Sequence, residues 1–289
     1  MAKLILLKAG LFTSIQDSGR SGFRQYGVPI SGTMDQQSAQ LANLLVNNPP
    51  HAAVMEITQT GPKIHFEETA LIAITGADLS PTLNEKKIKL NQALIVEPGM
   101  ALSFGKPQYG TRAYLAIQGG IESESVLNSE SMYPSITSKG KLTKDDTLNY
   151  IPTKSALSKL ASVQINLNHF ENQVLQVWPG PEWSTLSTEQ QQILLTEPYT
   201  IGLNNRMGYQ ISNNNMPAHN MQIITSPVVP GTVQLTPSGK LMALMRDAQV
   251  TGGYPRVLQL TEDSINRLAQ KNMGMKVRFE LLPELAINE

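Results

Sequence analysis

The sequence predicts a mostly β fold with a few helices, built from one unit repeated twice along the chain. Short apolar runs recur throughout and are bounded by 21 glycines and 18 prolines, which are spread along the chain as turn signals. Many short strands with regular turns are typical of β-sandwiches and β-barrels. The predicted strands cover residues 4–7, 70–75, 94–96, 112–117, 174–178, 222–225, 240–245, 256–260 and 276–281.

Three segments have the apolar spacing of helices rather than strands. Residues 35–46 carry apolar side chains at helical intervals, and Asp35 at their start is a residue type that caps helix N-termini. Residues 261–272 begin with Thr261, another capping residue, and continue with a similar apolar stripe. A third helix is predicted over residues 188–195, around three consecutive glutamines.

The two halves of the chain echo each other in four places, in the same order. For example, Arg20-Ser21-Gly22-Phe23-Arg24 resembles Arg206-Met207-Gly208-Tyr209-Gln210, and Met55-Glu56-Ile57-Thr58 resembles Met221-Gln222-Ile223-Ile224-Thr225. The first half has a helical insertion that the second lacks. We therefore predict an N-terminal domain over residues 1–155 and a C-terminal domain over residues 165–289, joined by a polar connector near residues 152–168.

Composition excludes several classes of function. The chain has 23 basic and 23 acidic side chains, so it lacks the net positive charge of a general nucleic-acid or anionic-membrane binder. It has no cysteine, which excludes disulfides, thiolate catalysis and Cys-ligated metals. The N-terminal apolar run is too short for a signal peptide, so we expect a cytoplasmic protein. The four histidines show no ligand spacing, and no metal site is predicted on the chain.

The densest polar segment runs from Gln16 to Asp35 and contains several glycines. Its Asp17, Arg20 and Arg24 lie where glycine lets the backbone approach a ligand, and arginine matches carboxylates and phosphates. The segment therefore predicts a ligand site. The alternative is a glycine-rich loop in which Asp17 and Arg20 pair with each other.

A second polar cluster follows at Asp247 and continues through Thr251-Gly252-Gly253-Tyr254. A diglycine turn can direct backbone amides toward an anion, although no Walker sequence follows. A plain hairpin turn is the alternative. Glu56 is a separate acid on a β-like run, and sequence alone does not place it near another carboxylate.

Taken together, these segments resemble the carboxyltransferase-like family that includes the C-type component of bacterial ATP-dependent 5-oxoprolinase, the KipA regulator and part of the urea carboxylase carboxyltransferase domain. The resemblance covers roughly residues 4–282. The motifs that carry it are Thr13, Gln16, Asp17, Gly19, Arg20 and Gly22, then Gly27-Val28-Pro29, Ser31, Gly32 and Asp35, and in the second half Asn205-Arg206-Met207-Gly208-Tyr209, Val229 to Gln234, Asp247 and Thr251 to Pro255.

The resemblance implies two cyclophilin-like β-barrel domains and a component that works with a KipI-like B-type subunit and an A-type subunit. The implied reaction opens 5-oxoproline to L-glutamate, with ATP and Mg²⁺ used by the complex and no bound biotin. We expect Asp35, Glu56 and Asp247 to supply catalytic carboxylates. The expected substrate-binding residues are Gln16, Asp17, Arg20, Arg24, Arg206, Gln234, Thr251, Gly252, Gly253 and Tyr254.

Two other functions are compatible with the same motifs. One is a KipA-type regulator that binds a KipI-like inhibitor of a histidine kinase, and the other is a carboxyltransferase subunit of a urea carboxylase-like enzyme. The sequence also departs from the family pattern at residues 128–146, where Glu130 replaces an arginine. We expect this change to alter the role of that loop and to leave the two polar clusters unaffected.

Overall fold

A computed structural model describes residues 1–153, 161–164 and 166–283, and these residues form a mostly β protein with a few helices. They divide into two compact units. The first contains Met1–Ser21 and Ser31–Phe170, and the second contains Gly22–Ile30 and Glu171–Glu289. The segment Gly22–Ile30, which the sequence assigns to the N-terminal domain, therefore lies with the C-terminal unit. The connector predicted near residues 152–168 and the two predicted domain ends fall partly outside the described residues.

The strands of the first unit are β1 (Ala2–Lys8), β2 (Phe12–Gln16), β3 (Val54–Thr58), β4 (Lys63–Phe66), β5 (Ala70–Asp78), β6 (Thr82–Leu83), β7 (Lys86–Lys87), β8 (Ala93–Val96), β9 (Ala101–Ser103), β10 (Tyr109–Ile117), β11 (Ile121–Glu122) and β12 (Thr147–Tyr150). They form a seven-stranded sheet in the order β11-β12-β1-β4-β9-β6-β7 and a five-stranded sheet in the order β2-β3-β10-β5-β8. The helices are α1 (Gln36–Leu45) and the short α2 (Asn168–Glu171), whose last residue is assigned to the second unit. A 3-10 turn spans Arg24–Tyr26, which belong to the second unit.

The five-stranded sheet is buried on both faces, which explains its continuous apolar runs. On β5, Ile72 and Ile74 belong to the core shared with the seven-stranded sheet, whereas Leu71 and Ala73 belong to a second core beneath α1. Successive side chains of a strand point to opposite faces, so a strand covered on both sides needs apolar residues at every position. The face beneath α1 also carries the polar side chains described below.

The strands of the second unit are β13 (Val174–Pro179), β14 (Tyr199–Asn204), β15 (Gly208–Ser212), β16 (Ser226–Pro227), β17 (Thr232–Leu235), β18 (Leu241–Leu244), β19 (Thr251–Gly252), β20 (Arg256–Leu260) and β21 (Lys276–Leu281). The helices are α3 (Thr188–Thr196) and α4 (Glu262–Ala269), and a 3-10 turn spans Trp183–Thr185. Seven of the strands form a closed barrel in the order β13-β20-β17-β18-β15-β14-β21, which closes through parallel pairing of β21 with β13. A separate two-stranded sheet pairs β16 with β19.

The mostly β class and the three predicted helices are confirmed. Asp35 caps α1 by accepting a hydrogen bond from the Ser38 N–H, and Thr261 caps α4 in the same way through Ser264. The strand predicted at residues 222–225 is wrong. Ile224 is 90% exposed and has no neighbouring strand, because regular pairing starts only at Ser226.

One of the internal echoes is therefore not matched in structure, since Met55 to Thr58 lie on β3 whereas Met221 to Thr225 are irregular. Among the described residues, no helix is both long and apolar enough to cross a membrane.

Candidate active site

A row of polar side chains crosses the face of the five-stranded sheet that lies beneath α1. The strand register places Ser14 beside Glu56, Glu56 beside Tyr114, and Tyr114 beside Thr75. These four residues are all fully buried. The residues before and after each of them on its strand point to the opposite face of the sheet. A buried polar row of this kind needs partners for each group, and the N-terminal turn of α1 supplies several of them.

The residues that lead into α1 are anchored by three successive backbone N–H groups. The Thr33 N–H donates to the Asp17 carbonyl at 2.9 Å, the Met34 N–H donates to Glu56 Oε2 at 2.7 Å, and the Asp35 N–H donates to the Tyr114 hydroxyl at 2.8 Å. Each N–H therefore has a different partner on a different part of the unit. This arrangement fixes the position of the chain before the helix begins.

Asp35 lies at the centre of this cluster and contacts a histidine far away in sequence. Its carboxylate accepts hydrogen bonds from the Ser38 N–H at 3.1 Å and the Ser38 hydroxyl at 2.6 Å, and His169 Nε2 lies 2.8 Å from Oδ2. The Asp35 side chain is fully buried, and the His169 side chain is 12% exposed. An ionised carboxylate only accepts, so with Asp35 ionised the donor in this contact is Nε2–H, and Nδ1 of a neutral ring is then the acceptor.

His169 was not among the predicted site residues, because the four histidines of the chain show no ligand spacing. It lies on α2, and its ring contacts Phe170 edge-on at 5.0 Å between centroids, while Phe170 packs on Tyr109 at 4.9 Å. The contact to Asp35 spans 134 residues, so no local signal could have revealed it.

Electrostatics in the cluster favour a neutral Tyr114. Burial, followed by the nearby Glu56 and Asp35 carboxylates, raises the pKa of the Tyr114 hydroxyl well above its usual range. Arg112, which is also buried, places its Nε 3.9 Å from Glu56 Oε1. Asp35 and Glu56, the two predicted catalytic acids of this unit, accept hydrogen bonds from backbone and side-chain donors.

Asp17 and Arg20 both form hydrogen bonds to the loop at residues 129–132. Asp17 Oδ1 accepts from the Ser129 and Ser131 hydroxyls at 2.7 and 2.6 Å and from the Gly19 N–H at 2.8 Å, and Arg20 Nη2 donates to the Ser131 carbonyl at 2.5 Å. Gln16 Nε2 donates to the carbonyl of Met132 in the same loop. Three of the predicted binding residues thus contact one segment.

That loop is the one that departs from the family pattern. The sequence led us to expect that the change would leave the polar clusters unaffected, but the loop is part of the first cluster. Its contacts use Ser129, Ser131 and the Glu130 N–H, which donates to Asp17 Oδ2 at 2.8 Å. The Glu130 side chain instead accepts from the Ser123 hydroxyl at 2.6 Å. The charge change is therefore directed away from Asp17.

In the second unit, the other predicted residues converge on the loop from Asp247 to Tyr254. Arg206 pairs with Asp247 through two hydrogen bonds, from Nε at 2.8 Å and Nη2 at 3.0 Å, and both side chains are buried. Arg24 Nη2 donates to the Val228 carbonyl and, at 3.4 Å, to the Val250 carbonyl. Planar guanidinium groups suit such paired contacts. Both arginines thus stabilise this loop.

Gln234 supports the far end of the same loop. Its Nε2 donates to the Tyr254 carbonyl at 3.2 Å, and a Cβ added at Gly252 would lie 2.5 Å from that nitrogen, so a larger residue there would displace the Gln234 amide. Thr251 and Gly253 are exposed, and Tyr254 is 46% exposed. Thr251, Gly253 and Tyr254 therefore form the part of the second cluster that is open to another molecule.

The structure thus places Gln16, Asp17, Arg20, Asp35 and Glu56 in the first unit and the remaining predicted residues in the second. The described residues contain no group of three or more His, Cys, Asp or Glu side chains that could hold a metal ion. They also show no Walker sequence in a strand–loop–helix setting.

Comparison with known proteins establishes the family. Residues 26–281 match the family model of the carboxyltransferase domain, subdomain A and B. The chain belongs to this family. Over 96% of its length and 90% of the relative's, it is 32% identical to the C-type component of 5-oxoprolinase from Escherichia coli K12. A shorter stretch of 125 residues is 44% identical to the urea amidolyase of Lachancea kluyveri and covers 43% of this chain and 7% of that one.

A solved structure shows the same fold over nearly the whole chain. TTHA0988 superposes with a TM-score of 0.88 at 26% sequence identity, and the match covers 97% of this chain. This chain spans 56% of the length of TTHA0988, so that protein has additional residues without a counterpart here. The carboxyltransferase-like architecture inferred from the motifs is confirmed.

Proposed function

We propose that this chain is the C-type component of an ATP-dependent 5-oxoprolinase that opens 5-oxoproline to L-glutamate together with a KipI-like B-type subunit and an A-type subunit. The observation that carries the proposal is its similarity to the E. coli C-type component along nearly the full length of both chains. Similarity over such a length supports a shared place in an assembly better than a single shared motif does.

The reaction breaks the amide bond of a five-membered lactam. Water adds its oxygen to the carbonyl carbon, and the ring nitrogen leaves with a proton, which yields the free amine and carboxylate of glutamate. ATP hydrolysis drives this opening, and ATP and Mg²⁺ are used at the level of the complex. The cytoplasm, where ATP is available, is the proposed location.

On this chain, the Asp35–His169 pair is the proposed proton-transfer group. Asp35 holds the ring through Nε2 at 2.8 Å, so that Nδ1 accepts the proton of the attacking water and returns it to the leaving nitrogen. Glu56 fixes the turn that carries Asp35, through the Met34 N–H at 2.7 Å. A carboxylate that orients a histidine in this way increases the rate without contacting the substrate itself.

The two arginine-rich clusters are proposed to shape the binding surfaces. Arg206 with Asp247, and Arg24 with the Val228 and Val250 carbonyls, stabilise the loop whose exposed Thr251 and Tyr254 contact substrate or a partner protein. Asp17 and Arg20, with Gln16, stabilise the loop at residues 129–132 in the other unit. In this proposal, the arginines contribute by holding the loops in position.

The proposed proton transfer is tested with His169→Gln, which keeps a donor for Asp35 but removes the proton acceptor. In the assembled complex we expect kcat to fall about 100-fold or more, within the range for loss of a general base. His65→Gln is the matched control, because His65 is half-buried on β4 in the other sheet. Equal rates for both variants would overturn the role of His169.

A second candidate is the carboxyltransferase reaction of a urea carboxylase-like enzyme, which the 44% identity to urea amidolyase over 125 residues favours. The two functions are separated by assaying both reactions with the same preparation. Release of glutamate from 5-oxoproline supports the first proposal. Transfer of a carboxyl group between carboxybiotin and urea, without any opening of 5-oxoproline, would support the second.

A further inference from the structure

The turn that precedes α1 contains a buried serine in an unusual conformation. Ser31 has a φ of 58°, in the left-handed region that favours glycine, and its side chain is fully buried. Its hydroxyl has no hydrogen-bond partner among the described residues. Buried hydroxyls are paired in the great majority of cases, and a left-handed serine is disfavoured. Ser31 combines both unfavourable features.

Comparison with similar residues separates Ser31 from ordinary turns. Of the other non-glycine residues with positive φ in the described ranges, only Asn91 is buried. Asparagine adopts this region readily, which serine does not. Ser135, with a φ of 72°, is exposed, so its hydroxyl is available to solvent. A local turn preference therefore does not account for Ser31.

The surrounding structure holds Ser31 in place. Gly32, the next residue, packs so closely that an added Cβ would lie 2.9 Å from the Gly19 nitrogen. The N–H groups of Thr33, Met34 and Asp35 are each bonded to a separate partner. Strained conformations persist where neighbouring contacts determine them in this way, and they concentrate at functional sites. These contacts thus hold Ser31 in its strained conformation.

We propose that the Ser31 hydroxyl donates a hydrogen bond to an oxygen of the acyl substrate, an amide carbonyl or a carboxylate. The inference rests on the proposed function, because 5-oxoproline carries both groups. Ser31 lies four residues before Asp35, which orients His169, so one anchored turn carries the substrate contact and the support of the proton acceptor. Ser31 is closed to solvent in this chain, so the proposal includes an opening of the packing around the turn in the assembled complex.

Two substitutions at Ser31 test the contact. Ser31→Gly removes the hydroxyl and relieves the left-handed backbone, and Ser31→Ala removes the hydroxyl alone. In the assembled complex, both are expected to raise the KM for 5-oxoproline about tenfold or more, as for loss of a hydrogen bond to a charged group. Ser135→Gly is the matched control, because it relieves the same backbone strain at an exposed serine, and its KM is expected to stay unchanged.

Thermal unfolding of the isolated chain supplies a readout that does not depend on activity. We expect Ser31→Gly to unfold at the same temperature as the wild type or higher, because it removes an unpaired group and backbone strain. A midpoint several degrees lower would mean that the hydroxyl stabilises the fold, and it would overturn the proposal. A normal midpoint with an unchanged KM would overturn it as well.

Failure of the proposed function has a different signature. If the wild-type complex does not open 5-oxoproline, the function fails, and the same variants are compared in the carboxyl-transfer assay, whose substrates also present carboxylate and amide oxygens. A raised KM for the Ser31 variants alone would then support the contact. Equal values for the Ser31 and Ser135 variants in that assay would overturn it.

Discussion

Replacing Asp35 with alanine tests whether the buried cluster beneath α1 stabilises the first unit. The substitution removes the N-cap acceptor for the Ser38 N–H, which costs about 1 kcal/mol. It also removes the acceptor for the Ser38 hydroxyl and for His169 Nε2, and each lost buried hydrogen bond costs roughly 1 kcal/mol more. We expect the free energy of unfolding to fall by about 3 kcal/mol.

The assay is urea unfolding followed by far-UV circular dichroism, with Gln37→Ala as the control. Gln37 is exposed on the same helix, so its replacement should change the unfolding free energy by less than about 0.5 kcal/mol. Both tryptophans, Trp178 and Trp183, belong to the second unit, so their fluorescence follows that unit separately. A loss below about 1 kcal/mol for Asp35→Ala, or a loss equal to that of Gln37→Ala, would refute the reasoning.

Two further predictions concern the second unit. Burial, and then the Arg267 guanidinium, lowers the pKa of Lys271 to about 8. Above that pH the folded state therefore binds fewer protons than the unfolded chain. The free energy of unfolding should consequently rise by about 2 kcal/mol between pH 7.5 and 10. Urea unfolding at both pH values should show this rise in the wild type and not in Lys271→Met. An equal change in the free energy of unfolding for the two proteins would contradict the prediction. Asp247→Ala leaves the buried Arg206 without its paired carboxylate and should cost about 3–5 kcal/mol by tryptophan fluorescence. The double variant Arg206→Met with Asp247→Ala should cost less than the sum of the two single changes, and strict additivity would show that the pair is not coupled.

Local chemistry accounts for the parts of the fold that the sequence predicts well. Asp35 and Thr261 begin helices because their side chains accept a hydrogen bond from a backbone N–H three residues later, and this interaction needs no other part of the chain. The strand predicted over residues 222–225 failed for the opposite reason. Its isoleucines favour strands, but a strand also needs a neighbour, and Ile224 is exposed.

The motifs named residues that lie in the two polar clusters, but they showed neither how these residues are arranged nor that His169 contacts Asp35. The motifs marked Asp17, Arg206 and Asp247, yet their contacts join residues 41 to 114 positions apart. The sequence assigned Arg206 and Asp247 to separate roles, and the structure pairs them. It also treated the loop containing Glu130 as separate from Asp17, and the structure joins them. Such long-range contacts depend on how strands pair and which face is buried, and no local pattern encodes either.

The measurement that tests the central claim most directly is ATP-dependent release of glutamate from 5-oxoproline by this chain with its A-type and KipI-like partners. Each protein is omitted in turn, and Asp35→Ala and His65→Gln are measured alongside the wild type. The account predicts activity only when all three proteins are present, lost with Asp35→Ala and retained with His65→Gln. Full activity in the absence of this chain would contradict it.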